Sequence, residues 1–215
     1  MANGTMRRTV GKALGALLFA AAVLPAQAPP SPAPAPALEV TVPSFTNKSC
    51  PVMGKPISSR LFTDTAYGRI WICCKGCNKK IAQDEAAAWK SAYPVVKALD
   101  NKLCPVSGKP IEGEPTLLSL QGYELRLHSP ECVAAARAES QVVLAKLLQP
   151  NVTEVGNVNC PVTGTPVAKN TFCLIGEQLV RLSSIDCVDA VKKEPRAMLE
   201  KAQADARAAA ASKGQ

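Results

Sequence analysis

The chain has 215 residues, nine of them cysteine, and 25 Lys and Arg against 17 Asp and Glu give it a formal charge of +8. Aromatic residues make up only 4% and the basic residues are interspersed with acids, so the basic stripe and stacking rings of a nucleic-acid reader are missing. The positive balance reads as surface solvation with weak attraction to anionic envelope components. The single His, with no neighbouring nucleophile and orienting acid, gives hydrolytic or acid–base catalysis no footing, and no enzyme is expected.

Residues 1–28 read as an export signal. Arg7, Arg8 and Lys12 give a basic start, Ala13 to Leu24 is an apolar run short for a bilayer span, and Ala26-Gln27-Ala28 is a small-x-small cleavage site. An uncleaved membrane anchor is the other reading of these residues. The signal predicts a periplasmic or secreted protein with no transmembrane segment after its removal. It holds three basic residues and no acid, so the remainder carries +5. Residues 29–46 are assigned to a Pro/Ala-rich linker: from Ala28 to Ala37, Pro alternates with Ala and Ser, a composition that favours extended polyproline II and offers no apolar face. Folded structure is expected from near Leu38, with Glu39-Val40-Thr41-Val42 as a short lead-in strand.

A repeat then takes over. Cys50-Pro51-Val52-Met53-Gly54-Lys55-Pro56-Ile57 returns as Cys104-Pro105-Val106-Ser107-Gly108-Lys109-Pro110-Ile111 and as Cys160-Pro161-Val162-Thr163-Gly164-Thr165-Pro166-Val167, at steps of 54 and 56 residues. An Asn stands three residues before each leading Cys, at Asn47, Asn101 and Asn157. Three modules are expected, at 47–100, 101–150 and 157–210. Units so small bury little surface and usually need a metal or a disulfide.

Within each module, two short β-like runs are split by Gly68, Gly122 or Gly176. In the second, Tyr123, Leu125 and Leu127 alternate with Glu124, Arg126 and His128, the period of a half-buried strand. Each hairpin feeds a Cys and then a helix, predicted from Cys77 to about Tyr93, Cys132 to about Leu148, and Cys187 to about Ala210. Val188, Val191, Met198 and Ala202 recur at helical spacing, and Pro195 is expected to open a second helical segment. Asp84-Glu85 and Glu194 are expected on solvated helix faces. Gly54, Gly108 and Gly164 read as a left-handed backbone position or a knuckle around the preceding Cys. No phosphate-binding loop is present. The fold class expected is α+β, built from tandem modules of turn, β-hairpin and helix.

Four thiols in under thirty residues, ending in a CxxC, is how a small protein builds a sulfur-rich metal site. The first module, with Cys50-Pro51-Val52-Met53-Gly54, a hairpin, then Ile72-Cys73-Cys74-Lys75-Gly76-Cys77 and a helix, resembles the YHS/TRASH group of small treble-clef-like metal-binding domains over about 47–99. Cys50 and Cys73 are separated by 22 residues, Cys73 and Cys77 by three. The resemblance implies treble-clef-like modules binding a soft or borderline ion, Zn or Cu, through Cys50, Cys73, Cys74 and Cys77. Aligned on the last Cys, the second module offers Cys104, His128 and Cys132, with Ser129 opposite Cys74. The third has Ser183 and Ser184 at the junction and keeps Cys160 and Cys187, while Cys173 is extra on its first strand. Many members of the group carry a Cys where this chain has Met53, Ser107 and Thr163.

Two other readings stand beside this one. Only two Cys positions persist through all modules (50 with 77, 104 with 132, 160 with 187), and in an exported protein such pairs are natural disulfide staples. For Cys160 and Cys187 the disulfide is the preferred reading, because two thiols alone make a poor zinc site. Cys74-Lys75-Gly76-Cys77 is also a thiol–disulfide exchange spacing, with a helix N-terminus and Lys75 to lower a thiol pKa. However, the module is about half the size of the thioredoxin fold. The function expected is metal handling, delivery or sensing in the envelope, with a stapled scaffold for an envelope protein partner as the alternative.

Overall fold

Three asparagines tie the repeated unit together. In the computed structural model, which describes residues 38–213, Asn157 Nδ2 donates to the Asn159 and Arg181 carbonyls at 2.8 and 2.9 Å, and its Oδ1 accepts from the Arg181 amide at 3.0 Å. Asn47 makes the same three bonds to Ser49 and Trp71, and Asn101 makes them to Leu103 and Arg126. A side-chain amide carries donor and acceptor side by side, so it can replace a missing strand neighbour. Each Asn therefore fixes its Cys-bearing turn against the hairpin that leads to the later cysteines. The turns themselves are alike. The Cys50 amide donates to the Lys55 carbonyl and the Gly54 amide to the Cys50 carbonyl, a pattern repeated at Cys104 and Cys160. Gly54, Gly108 and Gly164 sit at φ of +66°, +71° and +72°, as a knuckle requires.

The chain enters through β1 (Val40–Thr41). The first unit has β2 (Phe62–Thr65), β3 (Gly68–Trp71), α1 (Cys77–Gln83) and α2 (Glu85–Ala92). β4 (Lys97–Ala98) leads to β5 (Thr116–Leu120), β6 (Tyr123–Leu127), α3 (Cys132–Ala138) and α4 (Ser140–Leu148). β7 (Thr153–Glu154) leads to β8 (Phe172–Ile175), β9 (Gln178–Arg181), a 3-10 turn at Ile185–Cys187, α5 (Val188–Lys193) and α6 (Pro195–Lys213). The class is α+β, with each hairpin antiparallel. β4 and β7 add in parallel to β6 and β9, and β1 closes on β8, giving three small sheets among the described residues.

Two expectations need correction. The helices expected from Cys77 to Tyr93 and from Cys132 to Leu148 are each two helices. All three units break seven residues after the helix-opening Cys, at Asp84, Glu139 and Glu194. Asp84 lies at φ −151°, and its carboxylate accepts from the Ala87 amide at 2.9 Å. A short acid competes for backbone amides and so favours a cap over a helix interior. In the third unit Pro195 starts the new helix as expected. Asp84 and Glu85 are thus not idle surface: one caps α2, and the other accepts from the Ala66 amide at the hairpin turn at 2.9 Å.

The second correction shortens the linker assigned to 29–46: folded structure begins near Leu38 and the lead-in strand is present as β1, as expected, so residues 38–46 belong to the fold. Val40 and Thr41 pair with Ile175 and Leu174, and Phe45 packs against the second unit's core and the interface with the third. The Phe45 carbonyl accepts from Tyr93 Oη at 3.3 Å and from Gln121 Nε2 at 2.8 Å. Leu38, Val40 and Phe45 supply the apolar surface that the Pro/Ala stretch lacks. The export signal at 1–28 and linker residues 29–37 lie outside the described residues.

The units pack around α4. Val143 and Leu144 face Leu118, Leu125 and Leu127 in their own core, whereas Val142 and Ala145 face Phe172, Leu174 and Leu179 of the third unit. A helix apolar on both sides is one buried on both sides. Gln141, in the same helix, donates its backbone amide to Asn170 Oδ1 at 2.8 Å and bonds through its side chain to Gln121. The Gln121 amide in turn donates to the Tyr67 carbonyl of the first unit at 3.1 Å. A Cβ at Gly68 would fall 2.9 Å from the Gln121 side chain, so glycine there lets the first two hairpin turns meet. No helix among the described residues is long and apolar enough to cross a membrane.

Candidate metal centres

β3 delivers the chain through Ile72 to Cys73, and α1 opens at Cys77, one turn further on. The knuckle clamped by Asn47 brings Cys50 against them. The three sulfurs lie mutually within 4.8 Å, with Cys50 Sγ 3.5 Å and Cys73 Sγ 3.8 Å from Cys77 Sγ. Sulfurs bound at about 2.3 Å to a tetrahedral ion stand about 3.8 Å apart. Cys74, predicted as a fourth ligand, is exposed and has its sulfur 3.7 Å from Cys77 Sγ, but it falls outside the mutually close trio.

The second unit repeats the arrangement with Cys104, His128 and Cys132. His128 Nδ1 is 3.3 Å from Cys132 Sγ, and Ser107 Oγ on the knuckle is 3.1 Å from the same nitrogen. Ser129, aligned with Cys74, places its Oγ 3.9 Å from Cys132 Sγ. In the third unit Ser183 Oγ takes the place of Cys73 and His128, 3.7 Å from Cys187 Sγ and 3.0 Å from Thr163 Oγ1. Ser184 turns away to accept from the Asp186 amide at 3.2 Å. Cys160, Cys173 and Cys187 share one buried core. All nine cysteines are free thiols in this structure, Cys160 and Cys187 included.

The thiols of each unit are unequal. Burial alone would raise Cys50, but the amides of Cys73, Met53 and Val52 aimed at its sulfur bring it down to about 7. Burial is likewise outweighed at Cys104, lowered to about 6 chiefly by the Ser107 hydroxyl and the His128 amide, and at Cys160, lowered to about 6 by the Ser183 hydroxyl and nearby amides. The helix cysteines go the other way. Burial, reinforced by the Cys50 sulfur, pushes Cys77 up to about 12, and burial also raises Cys132 and Cys187. Each knuckle thus favours one thiolate beside a protonated partner, and a cation is what would release the second proton. The donors are sulfur and imidazole without carboxylate, which suits a soft or borderline ion and not Ca²⁺ or Mg²⁺.

Comparison with protein-family models, curated proteins and solved structures finds no match to this chain. Six of the seven predicted ligands therefore come together, in two groups, on the strength of this structure alone, with Cys74 beside the first group. Spacing did not disclose the contacts of Ser107 and Thr163 with the central ligand position. The signal was their shared place, three residues after each leading Cys.

Proposed function

We propose that this is an exported, non-enzymatic metal-binding protein whose first module is of the YHS/TRASH-like, treble-clef-like kind and handles Zn(II) or Cu(I). The observation that carries the reading is the spacing of the Cys50, Cys73 and Cys77 sulfurs, which suits coordination of one ion. A bound ion would supply coordinate bonds tying the knuckle to the first turn of α1. Cys104, His128 and Cys132 offer a second site with an open position. The third module, with Ser183 at the central position, serves as scaffold. The export-signal reading of residues 1–28 places the protein in the periplasm or outside the cell, where an envelope protein would give or receive the ion.

Elemental analysis of the full-length chain, purified without chelators and paired with a thiol count, tests this. One ion per filled site is expected, with Cys77→Ser removing the first and His128→Ala the second. Absence of bound metal, with Cys50–Cys77, Cys104–Cys132 and Cys160–Cys187 joined as disulfides, would leave a stapled scaffold instead.

A further inference from the structure

The sulfurs of the first centre differ in what an outside molecule can reach. Cys50 and Cys77 are 1% and 2% exposed, and Cys73 is half-buried. Cys74 is exposed, and so are its neighbours Lys75 and Gly76. Its sulfur nevertheless lies 3.7 Å from Cys77 Sγ, a separation compatible with binding the same ion, while standing apart from the trio. An accessible donor that joins the coordination sphere gives a cation held by less accessible sulfurs an easier way out than direct dissociation. A thiolate is the donor a soft ion accepts most readily.

We propose that Cys74 is the exchange thiol of the first centre, passing the ion between an outside thiolate or imidazole donor and the less accessible trio. This role rests on the metal reading. On loading, the Cys74 thiol gives its proton to solvent as its sulfur–metal bond forms, and the bond to the outside donor breaks. The ion then bonds to Cys50, Cys73 and Cys77, whose remaining thiol protons pass to solvent, the Cys74–metal bond breaks, and Cys74 takes a proton back from solvent. No electrons are transferred.

The second module is an internal contrast. Ser129 occupies the position of Cys74, with its Oγ 3.9 Å from Cys132 Sγ. A neutral hydroxyl is a poor ligand for such an ion. The second module therefore has a trio of donors but no exchange thiol.

The test uses the full-length chain loaded with Zn(II), challenged with a chromophoric chelator and followed by absorbance, with occupancy read by native mass spectrometry. In a His128→Ala background only the first centre reports. There, Cys74→Ser is expected to keep its Zn(II) and to release it severalfold more slowly. In a Cys77→Ser background only the second centre reports, and Ser129→Cys is expected to speed its release by a similar factor. Cys74→Ser that fails to hold Zn(II) would make Cys74 a resident ligand and overturn the role. Release at the parental rate would overturn it while leaving the metal reading intact. A parent chain that holds no Zn(II) would overturn both.

Discussion

Thr163 Oγ1 stands 3.0 Å from Ser183 Oγ, as Ser107 Oγ stands 3.1 Å from His128 Nδ1. The residue three after the leading Cys thus touches the same position in both modules, four residues before the helix cysteine. In the third module the contact continues from Ser183 to Cys187 Sγ at 3.7 Å. Hydrogen bonds there span the space that ligands and an ion would fill in the other two. One substitution should then complete a third donor set. Ser183→Cys is expected to add one Zn(II) equivalent per full-length chain by native mass spectrometry, and Ser183→Ala none. If both variants match wild type, the three positions are not equivalent.

The asparagine clamps make a prediction about stability. Removing Asn157 leaves the Arg181 amide and two carbonyls without partners, and Asn157 is only 2% exposed. Asn157→Ala is expected to cost about 2 to 4 kcal/mol, since orphaned buried polar groups lose their full solvation. Asn101 makes the same bonds in a more solvated setting, where water can replace them, so Asn101→Ala is expected to cost about 1 kcal/mol. Denaturant midpoints with unchanged slopes would measure both. Equal losses would show that the clamp's burial is irrelevant.

Much of this architecture was readable from spacing. Period-two alternation placed Leu125 and Leu127 inward, and both are fully buried. Helical spacing did the same for Val188, Val191, Met198 and Ala202. The candidate ligands followed from the recurrence of Cys and from the alignment that sets the single His, His128, opposite Cys73. The helix breaks did not, because local periodicity runs straight through Asp84 and Glu139. Their signal lay only in the acid found at the same offset in every repeat. The packing of the units was also hidden. Val142 and Ala145 look like the outer face of an amphipathic helix until the sheet of the third unit is set against them. Cys74 and Cys73 are neighbours that sequence cannot rank, since the direction of the chain after β3 decides which sulfur points inward.

That shared interface predicts coupled unfolding. Phe172 packs with Val142 and Ala145 across the two units. Phe172→Ala is expected to cost about 3 to 5 kcal/mol through lost burial and the cavity left behind. Amide exchange in α4 should then accelerate together with exchange in β8 and β9. Acceleration confined to the third unit would mean that the second holds α4 by itself.

The thiols of the third module predict opposite pH limbs. Burial acts to raise Cys160, but the Ser183 hydroxyl and neighbouring amides bring it from 9.0 down to about 6. A depressed acid contributes stability that is complete above its unfolded pKa and is lost as pH falls through its folded one. Cys160 should therefore make stability climb between about pH 6 and 9. Cys173 is pushed up to about 12, first by burial and then by the Cys160 and Cys187 sulfurs. Its neutral thiol is favoured in the fold, so its contribution is complete below about pH 9 and is lost as pH rises toward 12. Denaturant unfolding of the metal-free chain across this range is expected to show a maximum. Cys160→Ser should make the acid limb shallower, leaving the shares of Cys50 and Cys104, and Cys173→Ala the alkaline limb, leaving that of Cys77. If Cys160→Ser leaves the acid limb unchanged, the knuckle amides do not hold a thiolate in this module, and the likeness of its turn to those of the candidate metal centres stops at backbone shape.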